Sequence, residues 1–190
     1  MSKNILLISV QNIKDRTAIH SNTDEKLINP EIKTCQDMHI LPALGSGLYN
    51  RLEAGVVANN LTANENILID DYLADCLIYF VMSELPIGLS YQFYNKGLLR
   101  KGGENTENPS MQDMIDVANR YRARAEFYKE RMIKYLQENQ ILYPEYLNFG
   151  SGIDAIRPDR EGYSASIWLG DYSSCDNRPL SEKYQGNNGC

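Results

Sequence analysis

Residues 110–137 read SMQDMIDVANRYRARAEFYKERMIKYLQ, and this stretch decides the fold. Met114, Ala118, Tyr121, Ala125, Tyr128, Met132 and Tyr135 recur at alternating spacings of four and three. Helical winding brings such positions onto one narrow seam, the pattern by which helices pack lengthwise on one another. Ser110 stands where an N-cap belongs. At ~1.5 Å per residue the helix predicted over residues 111–137 is about 40 Å long. Arg120, Arg122, Arg124, Lys129, Arg131 and Lys134 fall on its other faces, against Asp113, Asp116, Glu126 and Glu130. Two readings of those charges stay open. They form a solvated surface with i,i+4 support, as in Glu130 to Lys134, or a basic stripe that meets an acidic neighbour.

Working outward, Thr62-Ala63-Asn64-Glu65 is a capping box. The helix it opens is expected to run to about Leu85, where Pro86 ends or kinks it. Residues 76–82 are apolar all round, which marks a helix buried on most sides and the central element of the fold. Farther upstream Ile28, Ile32, Cys35 and His39 share one helical face. That helix begins either at the Asn29-Pro30 pair or near Asp24 with a kink at Pro30. Pro42 disfavours helical dihedrals at Leu41, so a stop near Ile40 is expected. Pro42, Gly45 and Gly47 then predict a structural corner built from Leu41, Pro42, Leu44, Gly45, Leu48 and Tyr49, with a short helix beyond it ending near Gly55. Gly45-Ser46-Gly47 lacks the preceding strand and the lysine of a phosphate loop, and reads as a tight bend. The apolar run from Ile5 to Val10 is a short strand or a pinned terminal segment, and further strand is expected only in the tail.

The chain has 190 residues, 43% of them apolar, enough for one sizeable core. Mean hydropathy is −0.44 and no uninterrupted apolar run approaches the roughly 20 residues of a bilayer-spanning helix. The N-terminal run is too short for a signal-peptide core, so the protein is expected to stay in the compartment where it is made. A net charge of −6 lacks the basic footprint of sequence-specific nucleic-acid binding. Cys35, Cys76, Cys175 and Cys190 form no C-x-x-C pair and read as free thiols. His20 and His39 lie far apart without metal-ligand spacing, and His39 reads as a core histidine. Asp70, Asp71 and Asp75 are the one carboxylate cluster. Such a group can serve acid–base chemistry or Mg²⁺ binding, but here it reads as a solvent-facing set without a further ligand. No catalytic, cofactor or metal site is expected, and no enzyme.

Residues 148–190 lose all period and fill with Gly, Ser, Asp and Asn, yet they carry the only tryptophan. The chain therefore reads as a helical domain over 1–147 and an arm over 148–190. Linkers are normally poor in aromatics, so Tyr163, Ile167, Trp168, Leu169 and Tyr172 are candidate interface residues. The arm is expected to pack outside its own bundle. The fold class is mainly α: a small helical bundle with a long last helix, a short N-terminal extended segment and an extended C-terminal arm.

Residues 32–52, IKTCQDMHILPALGSGLYNRL, resemble the helix–"PxLG…LY"–helix pattern of head–tail connector (adaptor) proteins of tailed bacteriophages. The branch found in crAss-like phages of gut bacteria is the nearest in look. Residues 9–14 and 22–27 are similar to that branch as well, and the likeness covers about residues 5–140. Leu41, Pro42, Leu44, Gly45, Leu48 and Tyr49 are its most specific part. The resemblance implies a virion protein of the head–tail junction, assembled in the host cytoplasm. It implies a homo-oligomeric ring, usually twelvefold, beneath the portal protein. DNA would pass through the ring without sequence-specific binding, and other neck or tail proteins would dock on it, with no membrane and no cofactor. Compact members end soon after the last long helix, whereas this chain adds an arm. Two other classes stay open: a cytosolic helical protein-interaction module, and a small Mg-dependent helical enzyme using Asp70, Asp71 and Asp75.

Overall fold

A computed structural model of the chain describes residues 4–95, 97–100, 109–148, 150 and 155–159. The protein is mainly helical. It divides into two compact units, Met1–Arg160 and Glu161–Cys190. The boundary expected after residue 147 therefore moves to Arg160, because residues 155–159 belong with the helices. Tyr163, Ile167, Trp168, Leu169 and Tyr172 lie outside the described residues.

The N-terminal segment is not a strand. It bends at Leu7 and Ile8 before the N-cap Ser9, whose hydroxyl accepts the Asn12 N–H, and α1 follows over Val10–Arg16. Leu7, Ile8, Val10 and Ile13 enter the core. The segment is pinned by one buried side chain: the Leu7 N–H donates to Gln36 Oε1 at 2.8 Å, and Gln36 Nε2 donates to the Ile5 carbonyl at 3.1 Å.

Helix α2 spans Glu25–Cys35 with Asp24 as N-cap and Pro30 inside it, which settles its start. The expected stop at Ile40 is absent. A π-helical turn over Gln36–Ile40 leads straight into α3, Leu41–Ala58. Leu41 keeps helical angles (φ −56°, ψ −46°) although Pro42 follows it. A proline ring in α-winding collides with the carbonyl four residues back. The π-turn, in which the Leu41 N–H reaches the Gln36 carbonyl, opens that spacing. The break falls instead at Gly45 (φ 76°, ψ 158°), and α3 ends at Ala58, past Gly55, with Asn59 left-handed.

The capping box at Thr62 and Glu65 is present and opens α4 (Ala63–Ile67), which continues through a π-turn (Leu68–Leu73) into α5 (Ala74–Ser90). Pro86 sits inside α5 without ending it at Leu85; the turn beyond still closes, with the Tyr91 N–H on the Ile87 carbonyl. By length and composition Ala63–Ser90 could cross a bilayer, but Leu68, Leu73, Cys76, Leu77, Phe80 and Val81 are fully buried in the bundle. A core helix meets the same criterion. A two-stranded antiparallel hairpin follows, β1 (Tyr91–Tyr94) and β2 (Gly97–Arg100), with Tyr91 opposite Arg100. Strand thus lies between the last two long helices, where none was expected.

Helix α6, Met111–Glu138, packs along α5 and is capped reciprocally by Ser110 and Asp113. Its seam is as periodic as the sequence indicates, with Met114, Ala125 and Met132 buried and the intervening tyrosines half-buried. A short 3-10 turn and α7 (Pro144–Leu147) fold back, burying Tyr143 and Tyr146.

Candidate functional site

Residues 41–49 form a corner with Ala43, Leu44, Leu48 and Tyr49 buried. The broken helix exposes main-chain groups that an unbroken one would pair. They are met by residues 155–159. Asp159 N–H donates to the Pro42 carbonyl at 2.7 Å, and Ser46 N–H donates to the Ile156 carbonyl at 3.0 Å. Ile156 N–H donates to Ser46 Oγ at 2.8 Å. Pro158 is buried over Gly45, where an added Cβ would lie 2.7 Å from its Cδ. Lys129 Nζ on α6 reaches the Asp159 carboxylate at 3.4 Å. Part of the expected outward arm therefore packs on its own bundle. The physical reason is local: the break at Gly45 offers a donor and an acceptor that the chain itself can fill.

Tyr49 gives the corner a polar side. Its hydroxyl accepts from Lys33 at 3.0 Å and donates to Asp37 at 3.0 Å, and Lys33 also reaches Asp37 at 2.7 Å and Glu53 at 3.2 Å. Burial pushes the Tyr49 phenol up to about 12. Burial alone would lower Lys33, but its bonds to Asp37, Tyr49 and Glu53 hold the ammonium above its ordinary range. Gln36, which also donates to Tyr49 at 3.3 Å, ties this network to the N-terminal segment.

A second surface lies along α6 and the helix that runs from the second π-turn into α5. Tyr72 stacks on Tyr135 with centroids 4.0 Å apart, and Tyr79 stacks on Tyr128 at 5.3 Å. The Arg131 guanidinium sits 4.8 Å over Tyr72, and Arg124 lies 5.6 Å from the Tyr121 ring centre. Beside them Phe127 is 64% exposed, edge-on to Tyr128 and between two shallow depressions. Sequence reading placed Tyr121, Tyr128 and Tyr135 in the seam and the arginines on other faces, and did not single out Tyr72 or Tyr79. The structure joins Arg124 and Arg131 to the rings. The signal available was the seven-residue interval, shared by Tyr72 and Tyr79 on one helix and by Tyr121, Tyr128 and Tyr135 on the other.

Among the described residues the groups that could carry chemistry do not converge. Asp70 and Asp71 are exposed, while Asp75 is drawn to Arg16 at 2.8 Å. Among the described residues no three His, Cys, Asp or Glu side chains are placed to hold a metal ion. His39 stacks on Phe80 with centroids 3.8 Å apart, and burial, then Arg122, lower its pKa so that it rests neutral. Cys35 and Cys76 are free and buried. Burial pushes the Cys35 thiol up to about 12 and raises Cys76 as well, so neither is a thiolate at neutral pH.

Residues 40–155 match the model of a family described as a family of unknown function (DUF6712). The match opens at the last residue of the first π-turn and takes in the corner, both helices of the tyrosine face and the approach to the docked segment. No curated protein and no solved structure matches the chain.

Proposed function

The chain belongs to the DUF6712 family, a family of unknown function, and from that premise we propose that it is a structural virion protein building a ring at the head–tail junction of a tailed phage. In this reading it has no catalytic task. It extends the DNA channel below the portal protein and docks neck or tail proteins. The resemblance of residues 32–52 to connector proteins supplies the direction.

The observation that carries it is the tyrosine–arginine face of α5 and α6, with Phe127 standing exposed at its centre. Aromatic rings with arginine are the composition of interface anchors. A ring closes through a head-to-tail contact between two different faces of one chain. Charge suits such a contact. Residues 120–134 hold six cations against two carboxylates, and residues 4–95 hold eleven carboxylates against five cations. The net negative chain also suits a conduit along which DNA slides without being gripped.

Electron microscopy and sedimentation of the purified protein, alone and with a portal protein, test the reading. Closed rings of many copies are expected. Phe127→Ser combined with Arg131→Glu should abolish them while leaving the helical circular dichroism spectrum unchanged. A protein that stays monomeric or dimeric at high concentration and with the portal would favour a cytosolic interaction module instead.

A further inference from the structure

The break at Gly45 makes the corner a recognition site for extended chain. It presents one acceptor, the Pro42 carbonyl, and one donor, the Ser46 N–H, with the Ser46 hydroxyl beside them. A single extended segment satisfies all three. The features read in that segment are specific. A prolyl ring enters the space that Gly45 leaves empty, and an acid one residue later meets Lys129. This is the helical counterpart of strand addition, in which main-chain bonds hold the ligand and side-chain notches select it.

We infer that the corner is an acceptor site for an extended Ile-x-Pro-Asp segment, and that two copies of the chain exchange it, residues 156–159 of one seating on the corner of the other. The segment is short, and its seat includes two main-chain bonds, a bond from the Ile156 N–H to the Ser46 hydroxyl, one buried ring and one ion pair, with Ile156 still 38% exposed. Short surface segments outside the helices open locally without unfolding the core. Once open, the corner meets the same atoms on any other copy, and swapping an identical element is a low-cost route to association. Reach bounds the exchange. From Leu147, the end of α7, to Ile156 the chain spans at most about 30 Å when fully extended. The donor must therefore be an immediate neighbour. The exchange would give the proposed ring a joint between adjacent copies, but it stands on the corner alone.

Two full-length variants test it. Ser46→Pro removes both the donor and the hydroxyl acceptor; proline is tolerated at a first helical position and after a residue at ψ 158°, so the bundle should persist. Pro158→Gly with Asp159→Lys spoils the segment and leaves the corner open. Labelled with different dyes and mixed, the two should associate at least tenfold more tightly than either does with itself. A synthetic peptide of residues 154–160 should bind the second variant, bind Ser46→Pro at least tenfold more weakly, and compete with the mixed pair. If the peptide binds but the mixed pair does not form, exchange is overturned and the corner serves only its own chain. If the peptide does not bind the open corner, the acceptor site itself is overturned. Rings that persist or vanish in the microscope decide the ring reading separately.

Discussion

Helix α6 and the path from α2 into α3 are of similar length and treat their backbones in opposite ways. Helix α6 is capped at Ser110 and winds without interruption to Glu138. Its main chain is occupied with itself, so whatever α6 recognises it must recognise through side chains, and its tyrosines and arginines suit that task. The α2–α3 path carries Pro30, a π-turn, Pro42 and the break at Gly45. There the chain leaves main-chain groups to be met from outside the helix, and residues 155–159 meet them. Periodicity marks where a helix buries side chains; interruptions mark where it offers its backbone.

The strongest way to break that contrast is at the inward side of the corner. Leu44 is fully buried, and Leu44→Ala should cost about 2–5 kcal/mol in chemical denaturation. A much smaller loss would mean that the corner rides on the bundle without being part of its core. Gly45→Ala comes next. Its φ of 76° and ψ of 158° lie in a region that is essentially glycine's alone, and the added methyl would meet Pro158. About 1–3 kcal/mol of destabilisation is expected. Hydrogen exchange at the Ser46 and Asp159 amides should accelerate while exchange along α6 does not change; equal acceleration in both would erase the distinction.

Tyr49→Phe sharpens the comparison from the polar side. It removes a hydroxyl shared by Lys33, Gln36 and Asp37, and about 1 kcal/mol should be lost by thermal melting. The smallest effect has the opposite sign. Burial, and then Glu84, raise the Glu31 pKa above its ordinary value. The folded state therefore holds that proton more tightly than the unfolded chain, and stability falls as pH rises from about 4.5 through the folded value. Glu31→Gln should flatten that slope and melt slightly higher at pH 7. A variant that melts lower there would show Glu31 to be stabilising in its ionised form.

What was legible in the sequence was local. The Ser110 and Thr62 caps depend on residues three apart, and the seam of α6 on residues three and four apart, so short windows contain them whole. The inward face of Ile28, Ile32 and Cys35 was readable for the same reason. Pro42 misled because a sterically disfavoured residue was read as a stop, whereas the preceding turn widened to accept it. The seat of residues 155–159 joins positions more than a hundred apart, and its only local trace is a glycine, which equally marks a bend.

Those looser turns have a consequence for length. A π-turn holds one residue more than α-winding over the same rise requires. Removing one residue between 68 and 73 would let the helix tighten and leave the faces on either side in phase, whereas the looser winding between 36 and 40 is needed to seat Pro42. Removing one residue from the middle of α6 would rotate everything beyond it by about 100° and carry Met132 and Leu136 away from the core. The helix that enters α5 can thus absorb the loss of one residue, while the path into α3 and the long helix α6 are held to their counts.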